Sequence, residues 1–229
     1  MSDAEKRPHI RHVVYDMDGL LLDTEIFYTQ VTQEIVGRYG KVFDWTVKSQ
    51  MIGRPAIESA RHLVAVLELP LRPEQYLAER EALLEQRFAE ALAKPGAERL
   101  VRHLHQHGIP QAVATSSSRA FFELKTTRHR GWFDLFQCVV TGDDPAVAKG
   151  KPAPDIFLAA AARLGGVASG CLVFEDAPSG NQAALAAGMA VVVVPDPNMD
   201  RSRYEGADEI LDSLEDFEPA AWGLPGFSA

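Results

Sequence analysis

The spacing of apolar positions changes twice along the chain. Arg11 to Asp16 is a short, continuous β-rich run and reads as a first strand. From Glu25 to Tyr39 the apolar residues Phe27, Val31, Ile35 and Tyr39 recur at helical steps, and Gly40 is placed to end that helix. Ile57, Ala60, Val64 and Leu67 predict a second helix after Pro55. A third starts at Pro73, a good first-turn residue, and runs through Leu77, Leu84, Phe88 and Ala91. No strand pattern interrupts residues 25–94, so this block reads as all-helical.

Beyond Pro95-Gly96 the texture alternates. Helices are expected over Ala97–His107, Phe121–His129, Pro154–Leu164 and Ser179–Ala187, with Gly108 and Gly188 closing the first and last. Strands are expected over Pro110–Thr115, Cys138–Thr141, Cys171–Phe174 and Ala190–Val194, with Ile210-Leu211 as an edge strand. Repeated βα units imply an α/β fold, a doubly wound parallel sheet of Rossmann-like type. The continuous apolar runs suit strands covered on both faces. The expected organisation is a core of residues 1–24 and 95–229, with residues 25–94 as a small helical cap inserted after strand one. The last segment, with Trp222, Leu224, Pro225 and Phe227, is expected to pack back as a tail.

Composition changes this picture little, since 46% hydrophobic and 24% charged residues are ordinary for a globular chain. The net charge of −9 matters more. It argues against nucleic acid or an anionic membrane as partner, because both need a basic face. No apolar run approaches transmembrane length, and Met1 to Arg11 has no apolar signal region, so a soluble, cytoplasmic protein is expected. No coiled-coil pattern points to an oligomeric state. Cys138 and Cys171 lie in strand-like runs and read as buried free thiols rather than a disulfide or zinc site. His103 and His107 share a helix face without a carboxylate beside them, and read as solvent-facing.

Candidate chemistry gathers where strands end, the edge at which parallel sheets bind ligands. Asp16 and Asp18 are separated by one residue and followed by Gly19; alternation starts their side chains off facing the same way. Like charges so close need a cation between them or a proton on one. That fits a Mg²⁺ site, a nucleophile–acid pair, or both. Thr115 and Ser116 precede a helix, where hydroxyls and free amides suit phosphate and serve equally as caps. Lys151 sits in a turn stiffened by Pro152 and Pro154, a fixed ammonium suited to offset phosphate and nucleophile charge. Lys149 reads as solvated. Glu175 and Asp176 repeat the opening design. Asp176 would complete an oxygen shell for Mg²⁺, with Glu175 holding one of its waters or ligating indirectly; a helix-capping acid is the plainer role for Asp176.

The run Asp16-Met17-Asp18-Gly19-Leu20-Leu21-Leu22-Asp23-Thr24 resembles the first motif of haloacid dehalogenase (HAD) superfamily phosphatases. Thr115, Lys151 and Asp176 follow in the order that superfamily uses. The resemblance implies Mg²⁺-dependent hydrolysis of a small phosphorylated metabolite through an aspartyl-phosphate. Asp16 is then the nucleophile, and Asp18 the proton donor and later acceptor. Thr115, Ser116 and Lys151 would hold phosphate, and Mg²⁺ would sit on Asp16, Asp176, Glu175 and the Asp18 carbonyl. A helical cap at this insertion point is also implied. Mutases related to β-phosphoglucomutase carry a histidine where this chain has Tyr28, and a catalytically silent binding module would have lost Asp16 or Asp18. Met51-Ile52-Gly53-Arg54, Lys125-Thr126-Thr127-Arg128-His129 and Gly142-Asp143-Asp144-Pro145 resemble pseudouridine-5′-phosphatases and plant-type glycerol-3-phosphate phosphatases. Pseudouridine 5′-phosphate is the first substrate this implies, and glycerol 3-phosphate the next. Arg54, in a cap loop, is the candidate contact to a hydroxyl or phosphate. Lys125, Arg128, His129 and Arg130 form a basic cluster that either reaches substrate or is a solvated helix end.

Overall fold

The computed structural model describes residues 9–227, so most of the polar N-terminal stretch lies outside the described residues. Strands β1 (His12–Tyr15), β2 (Gln111–Ala114), β3 (Cys138–Val140), β4 (Cys171–Glu175), β5 (Ala190–Val193) and β6 (Glu209–Ile210) form one sheet. Their order is β3-β2-β1-β4-β5-β6, and every neighbouring pair is parallel. This is the doubly wound α/β class that the alternating texture predicts. With β2 on one side of β1 and β4 on the other, the loops leaving these strands meet at a switch point.

The helices are α1 (Glu25–Gly37), α2 (Trp45–Met51), α3 (Ala56–Val66), α4 (Pro73–Glu85), α5 (Ala97–Gln106), α6 (Arg119–Lys125), α7 (Arg130–Phe133), α8 (Asp155–Arg163) and α9 (Pro178–Ala186). Alternation along β1 sends Val13 and Tyr15 to one face and Val14 to the other. The first face packs against α5 and the returning tail, where Trp222 and Leu224 are buried and Phe227 partly so, as expected, and Phe217 is buried with them. The second packs against α8 and α9 through Ile156, Phe157, Ala183 and Ala184.

Helices α1 to α4 and the turn at Phe88 carry an apolar cluster of their own, including Val31, Ile35, Leu63, Tyr76 and Phe88, which meets α6 through Phe121 and Leu124. The chain leaves the sheet and rejoins it at a single place. Asp23 N donates to the Leu92 carbonyl at 2.8 Å and Lys94 N to the Leu21 carbonyl at 2.9 Å.

Local differences from the sequence reading have physical causes. Helix α2 has no apolar stripe to announce it, since Val47 is its buried residue; it starts because the Asp44 carboxylate accepts from Val47 N at 3.1 Å. The pattern over 121–129 breaks into α6 and a 3₁₀ turn (Thr127–His129) before α7, and the third predicted helix gives way to a 3₁₀ turn at Phe88–Glu90. His103 is not solvent-facing: its Nε2 donates to the Pro225 carbonyl at 2.8 Å and its ring lies 4.5 Å from Phe227, which docks the tail. Cys138 is half-buried because β3 is an edge strand, whereas Cys171 is buried; both are free thiols.

Candidate active site

Asp16 follows β1 directly and is 6% exposed. Its Oδ1 accepts from Lys151 Nζ at 2.5 Å. The same ammonium donates to Glu175 Oε1 at 2.5 Å and to the Ala114 carbonyl at 3.2 Å. Glu175 uses its other oxygen on its own loop, accepting from the amides of Asp176 (3.0 Å) and Ala177 (3.2 Å). Gly180 makes room for that carboxylate, since a Cβ there would lie 1.9 Å from it. Burial pushes the Asp16 carboxyl up to about 7 in spite of Lys151, and Glu175 and Asp18 add repulsion. Burial, then Glu175 and Asp16, lift Asp176 well above the carboxylate range.

The chain turns at Gly19 (φ +83°), where a Cβ would fall 2.2 Å from Asp176 Oδ2, and the Asp18 carboxylate finds other partners. Its Oδ1 accepts from Thr24 Oγ1 at 2.7 Å and from Lys125 Nζ at 2.6 Å. Its Oδ2 accepts from Ser117 Oγ at 2.8 Å and Thr115 Oγ1 at 3.3 Å. Lys125 is wholly buried, with 0% side-chain exposure. Its Nζ also donates to Ser117 Oγ at 2.8 Å and Tyr28 OH at 3.4 Å, and lies 4.1 Å from the centre of the Phe88 ring. Burial alone would raise the Asp18 carboxyl, but the Lys125 ammonium and these hydrogen bonds outweigh it and hold Asp18 below its ordinary range. The expected repulsion between Asp16 and Asp18 is therefore met by separate lysines, Lys151 for one carboxylate and Lys125 for the other.

A cavity of about 250 Å³ opens above these groups, lined by Asp16, Asp18, Ser116, Lys151, Glu175 and Asp176 on the sheet side. Thr115 does not line it; it is fully buried, and its Oγ1 accepts from Ser117 N at 3.1 Å, which shapes the loop. Arg54, the expected substrate contact, is not among the residues that line the cavity. Gly53 (φ +79°) turns the chain at the cavity and leaves Arg54 exposed outside it. Arg80 of α4 lines the cavity instead. Of the basic cluster only Lys125 turns inward: Arg128 is exposed, His129 Nε2 donates to the Ala91 carbonyl at 2.7 Å, and Arg130 pairs with Glu123.

One carboxylate oxygen each from Asp16, Glu175 and Asp176 lies within 4.8 Å of the others. An all-oxygen, acidic donor set, in which burial first and neighbouring carboxylates second push Asp16 and Asp176 up, fits a hard cation such as Mg²⁺. The Asp18 carboxylate stands outside this set. The fit has a measurable consequence in stability. Asp16 and Asp176 sit above their ordinary value of 3.8, so the folded state favours their protonated forms. The stability they lend fades as pH rises past about 4, in the case of Asp16 through about 7. Mg²⁺ should therefore raise Tm more at about pH 8 than at about pH 5, and the gain should shrink in Asp176→Asn. A Tm indifferent to Mg²⁺ at both pH values would argue against a metal here.

Residues 10–188 match the haloacid dehalogenase-like hydrolase family, a hydrolase class with which a Rossmann-like sheet bearing acids, a lysine and hydroxyls at its strand ends accords. The chain belongs to that family. It is 53% identical over 226 residues to "(DL)-glycerol-3-phosphatase 1, mitochondrial" of Arabidopsis thaliana, covering 96% of this chain and 76% of that one. It is 47% identical over 222 residues to "Probable pseudouridine-5′-phosphatase" of Drosophila melanogaster, covering 96% of each. The crystal structure of CbbY from Rhodobacter sphaeroides in complex with phosphate superposes with a TM-score of 0.74 at 25% identity, over 90% of this chain and 96% of that one. By family and relatives the enzyme is a phosphatase. Among the described residues no helix is long and apolar enough to cross a membrane.

Proposed function

We infer that the enzyme hydrolyses a small phosphomonoester in two steps through an aspartyl-phosphate on Asp16. The observation that carries this reading is the buried Asp16 carboxylate on the cavity wall, with Oδ1 tied to Lys151 and Oδ2 without a hydrogen bond from any described residue. A nucleophile so held has one lone-pair edge to offer phosphorus. In the first step Asp16 forms the bond to phosphorus, the ester bond breaks, and the leaving alkoxide takes a proton from Asp18. In the second, Asp18 takes a proton from water as its oxygen attacks phosphorus, and inorganic phosphate leaves with Asp16 restored. The resting pair with Lys125 keeps Asp18 in its basic form, which suits the second step; the first requires that pair to loosen when substrate enters. Lys151 and Ser116 are assigned to the phosphoryl oxygens, with the buried Thr115 supporting their loop. Mg²⁺, held by Asp16 and Asp176 with Glu175 and the Asp18 carbonyl beside them, would offset phosphate charge when bound.

Residues 25–94 are read as a cap whose closure excludes water and bulk, so the substrate is a small metabolite. The two leaving groups supported by the relatives are glycerol and pseudouridine. Tyr28, standing where the related mutases have histidine, favours hydrolysis over phosphoryl transfer between sugars. The cytoplasm is kept as the proposed location, to be checked by fractionation, because one relative is named mitochondrial. Phosphate release with Mg²⁺ from pseudouridine 5′-phosphate, uridine 5′-phosphate, glycerol 3-phosphate and β-glucose 1-phosphate tests the reading. Selective turnover of the first or third is expected. Turnover of β-glucose 1-phosphate only with an added sugar bisphosphate would replace it with the mutase.

A further inference from the structure

The helical block brings several polar groups to the cavity, and nearly all are already satisfied. Thr32 Oγ1 and Tyr76 OH share a hydrogen bond of 2.9 Å. Thr29 Oγ1 donates to the Glu25 carbonyl at 2.9 Å, and Ser59 Oγ donates to the Met51 carbonyl at 3.0 Å. Lys48 Nζ donates to Thr29 Oγ1 at 2.9 Å and pairs with Glu25 at 3.2 Å. Arg80 differs. Its Nε is buried without a hydrogen-bond partner among the described residues. Its guanidinium lies 5.6 Å from the Tyr28 ring centre and 5.8 Å from that of Tyr76, with the Tyr76 hydroxyl in reach.

A guanidinium presents five N–H donors in a rigid fork, and leaving a buried donor unmet costs free energy until a ligand supplies the acceptor. Stacking on tyrosine rings fixes the fork's plane in advance. We propose that Arg80 selects the alcohol half of the substrate, donating to hydroxyl or carbonyl oxygens of the leaving group while the phosphoryl half rests against Asp16 and Lys151. The proposal rests on the phosphatase reading above and narrows it. Phosphomonoesters of polyols and nucleosides are favoured, and simple alkyl phosphates, which offer no acceptor at that distance, are not.

The test compares Arg80→Met, which keeps bulk without donors, and Arg80→Lys, which keeps charge without the fork. For glycerol 3-phosphate or pseudouridine 5′-phosphate, whichever is turned over, KM should rise about tenfold or more in Arg80→Met and recover only in part in Arg80→Lys. Turnover of ethyl phosphate should stay within about twofold of the parent, which also reports an intact fold. Equal losses on all esters, or no change on any, would overturn the proposal. Binding is read separately in the Asp16→Asn background, where either hydroxylated ester should raise Tm and Arg80→Met should abolish the rise. A rise that Arg80→Met abolishes, in an enzyme that turns over no ester, refutes the phosphatase reading and leaves Arg80 its role. No rise with either ester, or one indifferent to Arg80→Met, refutes the role itself.

Discussion

Asp16→Asn should lose about 10⁴-fold or more in kcat and yet stay folded, because the change removes the charge of the oxygen proposed to attack phosphorus and almost no volume. The site predicts what happens to stability as well. Asp16 is a buried acid pushed up to about 7, so keeping it ionised at neutral pH works against folding. An amide has no charge to desolvate, and Lys151 keeps Glu175 as its partner at 2.5 Å. The variant should therefore be at least as stable as the parent above about pH 7, with the difference shrinking towards about pH 5 where Asp16 is protonated. Phosphate release and urea titrations at both pH values check the two halves. Turnover above a few per cent of the parent would remove Asp16 from its role.

The second large effect is on stability and comes from Lys125→Met. Removing one partner of a buried ion pair leaves the other charge uncompensated, at a cost of about 3–5 kcal/mol. Lys125 has 0% side-chain exposure and holds Asp18, Ser117 and Tyr28 together, so the upper part of that range applies. Adding Asp18→Asn to Lys125→Met should recover more than half of the loss, since the orphaned charge is then gone. Equilibrium unfolding of the two single variants and the double measures this. A loss under about 1 kcal/mol in Lys125→Met would mean that the pair does not hold this junction.

The fold was legible because its signals are redundant. Continuous valine-rich runs bounded by glycine leave few alternatives to a parallel sheet, and acids at the ends of β1 and β4 mark its binding edge. The inward cations were harder to see. Arg80 lies on α4, whose sequence PEQYLAEREALLE is charged on most of its circumference and buries Tyr76 and Leu84. Periodicity says nothing there about which cation points inward. Lys125 was visible as a base but not as a buried one. The signal available was its place three residues after Phe122, on the one buried stripe of α6. For Arg54, a loop cation beside a glycine, the sequence does not say on which side of the turn at Gly53 the side chain falls.

The paired backbone at Leu21–Asp23 and Leu92–Lys94 bears on how the chain tolerates change in length. A segment that departs and returns at one hydrogen-bonded point keeps its ends together whatever its interior becomes, and closing a longer loop costs only slowly more. Residues added or removed between those two pairs therefore leave the neck, and the register in which Asp16 and Asp18 follow β1, where they are.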